Sequence, residues 1–408
     1  MPPLKRKFFS ALWHLKQAAH ASYASAQTFL TQVLTEKYWL LDYAPTLKKT
    51  PPALLLVKLD LIGDFILWLD AAKVYKALYP NHQITLAVNQ SCLALAQTLP
   101  YWDAVIGIDI PQLRANEAYR VKVLYQLRRG NFSVAIQPTY SREFVGDLVV
   151  RATNAQQRIG YAGDLNNIVE DSKKITDQWY TQLIENNPLC VMELNIHAHF
   201  VRALGMTGFS SSLPSLLPTI KLSPALTFLP PYIVLAPGAS WHPKMWPVGH
   251  FATLAGQLQA RFNVPILLCG GPGDEGVCSD LVALNGKGNF HNLAGKTTLL
   301  ETIEVIRHAA LLVSNDSSPS HIATATQTPF VCILGGGHFE RFLPYRPEQT
   351  KAAPESIIAT HKMACFGCSW NCIYNLEAGQ AVPCIANVSI TAVYQACIRI
   401  LSQSTTVH

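Results

Sequence analysis

From Pro51 onward the chain alternates short apolar runs with helical stretches, and few folds can accommodate that alternation. Leu54 to Lys58, Ile84 to Val88, Ala104 to Ile108 and Val134 to Ile136 each have the length and β-branched content of a strand covered on both faces. A helix from about Phe65 to Tyr79, ending at Pro80, separates the first two, and helical stretches of ordinary length separate the others. Strand and helix in alternation imply βαβ units and a parallel sheet. A helix over Met192 to Leu204, stopped by Gly205, closes this series, and the Ser-, Pro- and Leu-rich segment Phe209 to Thr227 reads as a linker. A second series follows, with strands at Ile233 to Ala236, Pro265 to Cys269, Leu311 to Val313 and Phe330 to Leu334 and a helix over Val248 to Arg261. Two doubly wound domains in tandem are the economical reading. It divides the chain into an extension over 1–50, a first domain over 51–222 and a second over 223–408.

In open parallel sheets ligands bind beyond the carboxyl ends of the strands. In this sequence the Gly- and Ser-rich loops fall at such ends: Leu61-Ile-Gly-Asp64, Pro237-Gly-Ala-Ser240, Gly270-Gly-Pro-Gly-Asp-Glu275 and Gly335-Gly-Gly337. The loop Asn315-Asp-Ser-Ser-Pro-Ser-His321 is the richest. Asp316, Ser317 and Ser318 can cap the helix that starts near Pro319, and a helix start offers unpaired N–H groups and the positive end of its dipole to a phosphate. An ordinary capped helix is the alternative reading of that loop taken alone.

The chain has 408 residues, 49% of them apolar, enough to fill two cores. Its formal charge of +6 falls well short of the dense basic stripe of a nucleic-acid binder and suits an anionic substrate or membrane surface. No run of about 18 apolar residues marks a membrane span. Ten cysteines in a long chain without a signal peptide point to a reducing, cytoplasmic setting rather than a disulfide framework. Before Glu36 the only charges are basic, and Phe8, Phe9, Leu12, Trp13 and Leu15 recur at roughly helical spacing. Residues 1–45 therefore read either as a basic amphipathic helix on the anionic inner leaflet of the membrane or as a helix packed on the next domain.

Four motifs, in order and at compatible spacing, resemble those of the bacterial heptosyltransferases of glycosyltransferase family 9. They are Val57-Lys-Leu-Asp-Leu-Ile-Gly-Asp64, Ala236-Pro-Gly-Ala-Ser240 with Lys244, Trp246 and Pro247, Asn292-Leu-Ala-Gly295, and Asn315-Asp-Ser-Ser-Pro-Ser-His-Ile-Ala323. The resemblance spans most of Leu54 to Leu343. It implies an α/β fold of the GT-B type, with two Rossmann-like domains facing across a cleft. It also implies an inverting transfer of heptose or a related sugar, typically from ADP-heptose, to a lipopolysaccharide core or other glycan acceptor. No cofactor or metal is required if the protein supplies cations and N–H groups to the departing diphosphate.

On the matched motifs Asp64 is the catalytic base, with an ordinary helix-start carboxylate as its alternative. Lys244 and Ser240 contact the donor pyrophosphate, and Asp316, Ser317, Ser318 and His321 form the second phosphate-binding loop. Ser318 stands where the family usually has glycine, which places a side chain where backbone would approach the ligand. Glu275 aligns with an acidic residue that holds the nucleotide ribose. In the acceptor half Asp60, Arg142 and Arg158 are candidate acceptor contacts, although Arg142, Glu143 and Arg158 can equally pair with each other. Two other functions remain open: a nucleotide-sugar binding protein without transfer activity, and a nucleotide-sugar epimerase of similar fold. Outside the motifs, Cys365, Cys368, Cys372 and Cys384 follow C-x2-C-x3-C-x11-C, a pattern that suits a thiolate zinc cage or a set of reduced thiols.

Overall fold

The structure, a computed structural model, describes residues 51–226, 231–286, 288–346 and 353–404. The basic extension over 1–50 lies outside the described residues. Among the described residues no helix is long and apolar enough to cross a membrane.

The fold is α/β, built on two six-stranded sheets. The first contains β1 (Ala53–Lys58), β2 (Gln83–Asn89), β3 (Ala104–Ile108), β4 (Phe132–Gln137), β5 (Gln157–Tyr161) and β6 (Gln182–Ile184), in the order β3-β2-β1-β4-β5-β6. The second contains β7 (Ile233–Ala236), β8 (Ile266–Leu268), β9 (Phe290–Asn292), β10 (Leu311–Asn315), β11 (Phe330–Ile333) and β12 (Ser356–Ala359), in the order β12-β11-β10-β7-β8-β9. The β1–β4, β4–β5 and β5–β6 pairings of the first sheet are parallel, as are all five pairings of the second. Each order reverses once, between β1 and β4 and between β7 and β10, which is the doubly wound arrangement the alternation implies. The central strands are apolar on both faces because helices cover both: every residue of β1, β7, β10 and β11 is buried. In the second sheet the core includes Leu235, Val313 and Ile333 from the strands, with Phe251, Leu281 and Ile400 from covering helices.

By compactness the chain forms two units, and they do not divide at residue 222. Asp60–Pro80 and Val88–Gly107 group with Asn187–His408 rather than with the rest of the first sheet. The helix after β1 starts at Ile62, ahead of the expected Phe65, and breaks after Ala72 before a further turn over Tyr75–Leu78. Nor is the segment after residue 209 a free linker. Leu213 and Leu216 are buried. Its backbone donates from Ser212 to Asp70, from Leu216 to the Ala325 carbonyl and from Thr219 to Glu304. Each of these bonds uses a polar group that would otherwise need water.

Candidate active site

Within the second unit a pocket of about 590 Å³, the size of a small-molecule site, opens at the carboxyl ends of β7 and β10. Those are the strands at which the order of the second sheet reverses. Residues from distant parts of the chain converge on it: Asp64, Ser240, Lys244, Asp316, Ser317, Ser318 and His321 all line its wall.

Two helix starts meet there. Asp64 is the third residue of the helix Ile62–Ala72, and neither this helix nor Ser318–Thr326 is capped by a side-chain hydrogen bond. The hydroxyl cap expected at Asp316 to Ser318 is therefore not formed, and the positive end of each helix dipole is left to act on the pocket. Gly63 makes the approach possible. A Cβ there would lie 3.1 Å from the ring of His321 and 3.6 Å from Cα of Ser318. Ser318 itself is not among the residues with positive φ, so the backbone here does not demand the family's glycine and the hydroxyl is added without strain.

Asn315 locks the loops together. Its carboxamide is buried, accepts the Trp246 N–H at 3.0 Å and donates to the Pro237 carbonyl at 2.6 Å, tying the loop after β7 to the end of β10. Trp246 is held at its other end by an indole N–H bond of 3.0 Å to the Val388 carbonyl. Lys244 rides on this frame, in the short turn His242–Lys244. Burial holds its ammonium below the usual lysine range, against the opposing pull of Asp316 and Asp64. Burial likewise pushes the Asp316 carboxyl up to about 6, with Lys244 pulling it back. His321 is driven down to about 4 by burial, so it is neutral at pH 7; the Tyr345 hydroxyl lies 2.9 Å from its Nδ1. It serves the pocket as a hydrogen-bonding group and not as a cation.

Other expected residues are placed elsewhere. Glu275 does not line the pocket; it begins the helix Glu275–Asn285 and its carboxylate lies against Gly295. Its neighbour Asp274 does line the pocket, accepting the Gly271 N–H at 2.9 Å and packing against Gly238. Asp60 is half-buried at the end of β1 and is also absent from the wall. In the first unit Arg142 is 1% exposed, donating to Asp147 at 3.1 Å and to Asp177, with its guanidinium over the Tyr180 ring. It has no surface to offer an acceptor. Glu143 pairs with Arg114, and Arg158 donates to the carbonyls of Trp179 and Ala155. All three side chains are engaged inside the protein, but by other groups and not, in these bonds, by one another.

Among the described residues all ten cysteines are free thiols. Cys365, Cys368, Cys372 and Cys384 line one small cavity, where Cys384 Sγ accepts the Gly336 N–H at 3.4 Å. Among the described residues no three or more His, Cys, Asp or Glu side chains are grouped so as to hold a metal ion.

Known proteins share this architecture. An E. coli (strain K12) lipopolysaccharide heptosyltransferase 3 is 26% identical over 289 residues, covering 67% of this chain and 79% of the relative. The structure of E. coli ADP-heptose lps heptosyltransferase II superposes with a TM-score of 0.62 at 19% identity, covering 86% of this chain and 99% of that one. A glycosyltransferase family 9 structure from Veillonella parvula gives a TM-score of 0.64 at 16% identity, covering 88% and 99%. The sequence profile of glycosyltransferase family 9 (heptosyltransferase) matches residues 120–367, which includes the loops carrying Lys244, Asp274, Asp316 and His321 and begins after Asp64. That match takes in well over half of the chain, which thus belongs to glycosyltransferase family 9 and is a glycosyltransferase of the lipopolysaccharide heptosyltransferase type.

Proposed function

We propose that the chain moves a heptose from ADP-heptose to the saccharide of a lipopolysaccharide core or related glycan, with inversion and with Asp64 as base. The observation that carries this reading is the convergence of Asp64, Lys244 and the start of the helix Ser318–Thr326 on one pocket. An acceptor hydroxyl loses its proton to the Asp64 carboxylate as its oxygen attacks the anomeric carbon. The bond from that carbon to the β-phosphate oxygen breaks, and ADP leaves with the added charge. Lys244 and the backbone N–H groups of the Ser317–Ser318 turn receive that charge, while Ser240 adds a neutral donor at the rim. Because the chain supplies these positive groups, the transfer needs no metal ion, and activity persists in a chelator. Asp274 is the acceptor for the ribose hydroxyls, in the role the sequence pattern gave to Glu275. ADP-heptose as donor accords with the E. coli enzyme of the same fold.

The protein works in the cytoplasm, and its basic extension over 1–45 holds it on the anionic inner leaflet. Liposome flotation tests the extension: removal of 1–45 abolishes binding to anionic vesicles, and unchanged binding ends the membrane role.

The decisive experiment is a panel of ADP-, GDP- and UDP-sugars, screened by thermal shift on the full chain and followed by a transfer assay with core oligosaccharide. ADP-heptose gives the largest shift and is consumed with formation of a glycosylated product. Binding without transfer to any acceptor would leave a nucleotide-sugar binding protein, and altered donor sugar without transfer would leave an epimerase.

A further inference from the structure

We propose that Trp370 is the positioning residue of the donor site, holding the Lys244 ammonium against its ring face so that the charge is aimed at the pyrophosphate. This rests on the donor role of Lys244 given above. Trp370 belongs to the cysteine-rich segment, which no step of the transfer uses, and it separates two spaces. Its ring helps to line the thiol cavity, and its face lies under Lys244 Nζ, 4.3 Å from the ring centroid. A cation within about 6 Å of an indole face is attracted by the ring quadrupole, most strongly where water is excluded. Lys244 is largely removed from water, so the ring offsets part of the cost of keeping its charge.

The protein goes to some length to put the indole there. Ser369 and Trp370 both have left-handed backbone, with φ of 49° and 64°. For a bulky residue that conformation is strained and persists only where the surroundings enforce it. The enforcement is visible. Ser369 N–H donates to the Gly337 carbonyl at 2.9 Å, Gly367 N–H to the Gly336 carbonyl at 2.7 Å, and Cys372 N–H to the Trp370 carbonyl at 2.9 Å. The indole N–H donates to Nδ1 of His338, a residue of the donor pocket wall, at 3.2 Å. The edge contact with Trp241 fixes the ring from the side of the Lys244 loop. Gly335-Gly-Gly337 now has a reason that is not phosphate binding: a Cβ on Gly337 would meet the Trp370 ring at 2.2 Å, and one on Gly336 the Phe366 ring at 2.2 Å. The glycines are bare so that the cysteine-rich segment can close onto the loop after β11. The four thiols are thus part of the scaffold that holds Trp370.

The test is a double-mutant cycle on the full chain, with ADP binding read by calorimetry. Trp370→Leu weakens ADP about 5- to 30-fold, as the loss of one cation–ring contact requires. Added to Lys244→Ala, which is itself weakened, it costs nothing further. If Lys244→Ala leaves ADP affinity unchanged, both the donor role of Lys244 and this proposal fall. If Lys244→Ala weakens ADP while Trp370→Leu has no effect, or the two losses add, only this proposal falls. Site-specific fluorinated tryptophans at 370 keep the shape of the ring and cover the case in which the leucine variant does not fold. Affinity then drops stepwise with each added fluorine, and a flat series overturns the proposal, since a merely structural tryptophan would not respond to its quadrupole.

Discussion

The two units each gather a cluster of opposite charges, buried in the first and half-buried in the second, and the clusters are built to opposite ends. In the first unit Arg142 is closed on itself: Asp147 and Asp177 take N–H groups of its two terminal nitrogens, Tyr180 covers its face, and the Tyr180 hydroxyl bonds Asp147 at 2.6 Å. In the second, Lys244 has a ring beneath it and two carboxylates, Asp316 and Asp64, within electrostatic reach across a pocket large enough for a nucleotide sugar. A buried ion pair that closes on itself contributes to the integrity of its surroundings and has little left for a ligand. A cluster arrayed around open space keeps its charge available for a guest that brings charge of its own. The difference lies in what surrounds the charges, since both clusters draw on the same few residue types.

The sharpest test of that contrast is Asp64→Asn. It keeps the size of the side chain and removes its basicity, so transfer falls by about 10² to 10⁴ while the melting temperature and ADP affinity stay near the parent values. Transfer at close to the parent rate would make Asp64 an ordinary helix-start residue. Arg142→Ala should do the reverse. Asp147, fully buried, loses its partner, at a cost of about 3–5 kcal/mol. Burial already pushes the Asp147 carboxyl above its usual range with Arg142 pulling it back, so without the arginine the acid is more easily neutral. The loss of stability is therefore greater at high pH than at low. Urea unfolding at two pH values checks this, and ADP affinity of the folded variant is unchanged. A normal melt with weakened donor binding would mean that Arg142 serves a ligand after all.

How far the sequence reveals this contrast can be judged residue by residue. Ile233–Ala236 and Ala104–Ile108 are legible to the residue, and β1, β10 and β11 nearly so, because strands covered on both faces, or bounded by turns, leave short apolar runs. β5, β6, β9 and β12 are not legible in this way. Gln157-Arg-Ile-Gly-Tyr161 and Phe290-His-Asn292 are short and mixed in polarity, and they become strands only because a neighbour supplies the hydrogen bonds. At the site, motif spacing points to Asp64, Lys244 and His321, which line the pocket, and to Glu275, which does not, while its neighbour Asp274 does. The two differ by one position, at the change from the turn Pro272–Asp274 to a helix, and that change redirects the carboxylate. Trp370 carries no local signal, and Asn315 lies in a matched motif that does not give it the role of tying two loops together. The partners of Asn315 lie up to 78 residues away, and the left-handed backbone at Trp370 comes from the glycines of another loop. Closed and open clusters look alike in sequence for the same reason: Arg142 and Lys244 both sit in loops with hydroxyls and aromatics nearby.

Lys244→Ala probes the open cluster at intermediate size. A charge-assisted contact to a diphosphate contributes about 1.5–3 kcal/mol, so ADP binding weakens roughly 10- to 150-fold, and transfer slows further because the leaving group gains charge as it departs. Stability changes little or rises, since a cation that is costly to bury has been removed. A large loss of stability would place Lys244 with Arg142 as a closed, structural charge.

The smallest effect concerns Asp316, and it tests whether the open cluster is tuned by its own field. Its carboxyl titrates at about 6 in the folded protein, raised from the ordinary aspartate value of 3.8 by burial and restrained by Lys244. With the folded value raised, the stability contributed by this group is full below the unfolded value of about 4 and is lost as pH rises through about 6. Asp316→Asn should therefore be more stable than the parent at neutral pH, with the difference fading in acid. The same sign governs the donor. A nucleotide sugar carries its diphosphate charges throughout this range, so an ionised Asp316 on the pocket wall repels it and a protonated one does not. ADP-sugar affinity should fall a few-fold as pH rises past about 6 in the parent and stay flat in Asp316→Asn. In Lys244→Ala, without the cation that draws the carboxyl down, the midpoint should move upward. If the parent shows no such pH dependence, or if Asp316→Asn leaves it in place, the carboxyl is not coupled to the donor and the pocket's charge balance rests on Asp64 and Lys244 alone.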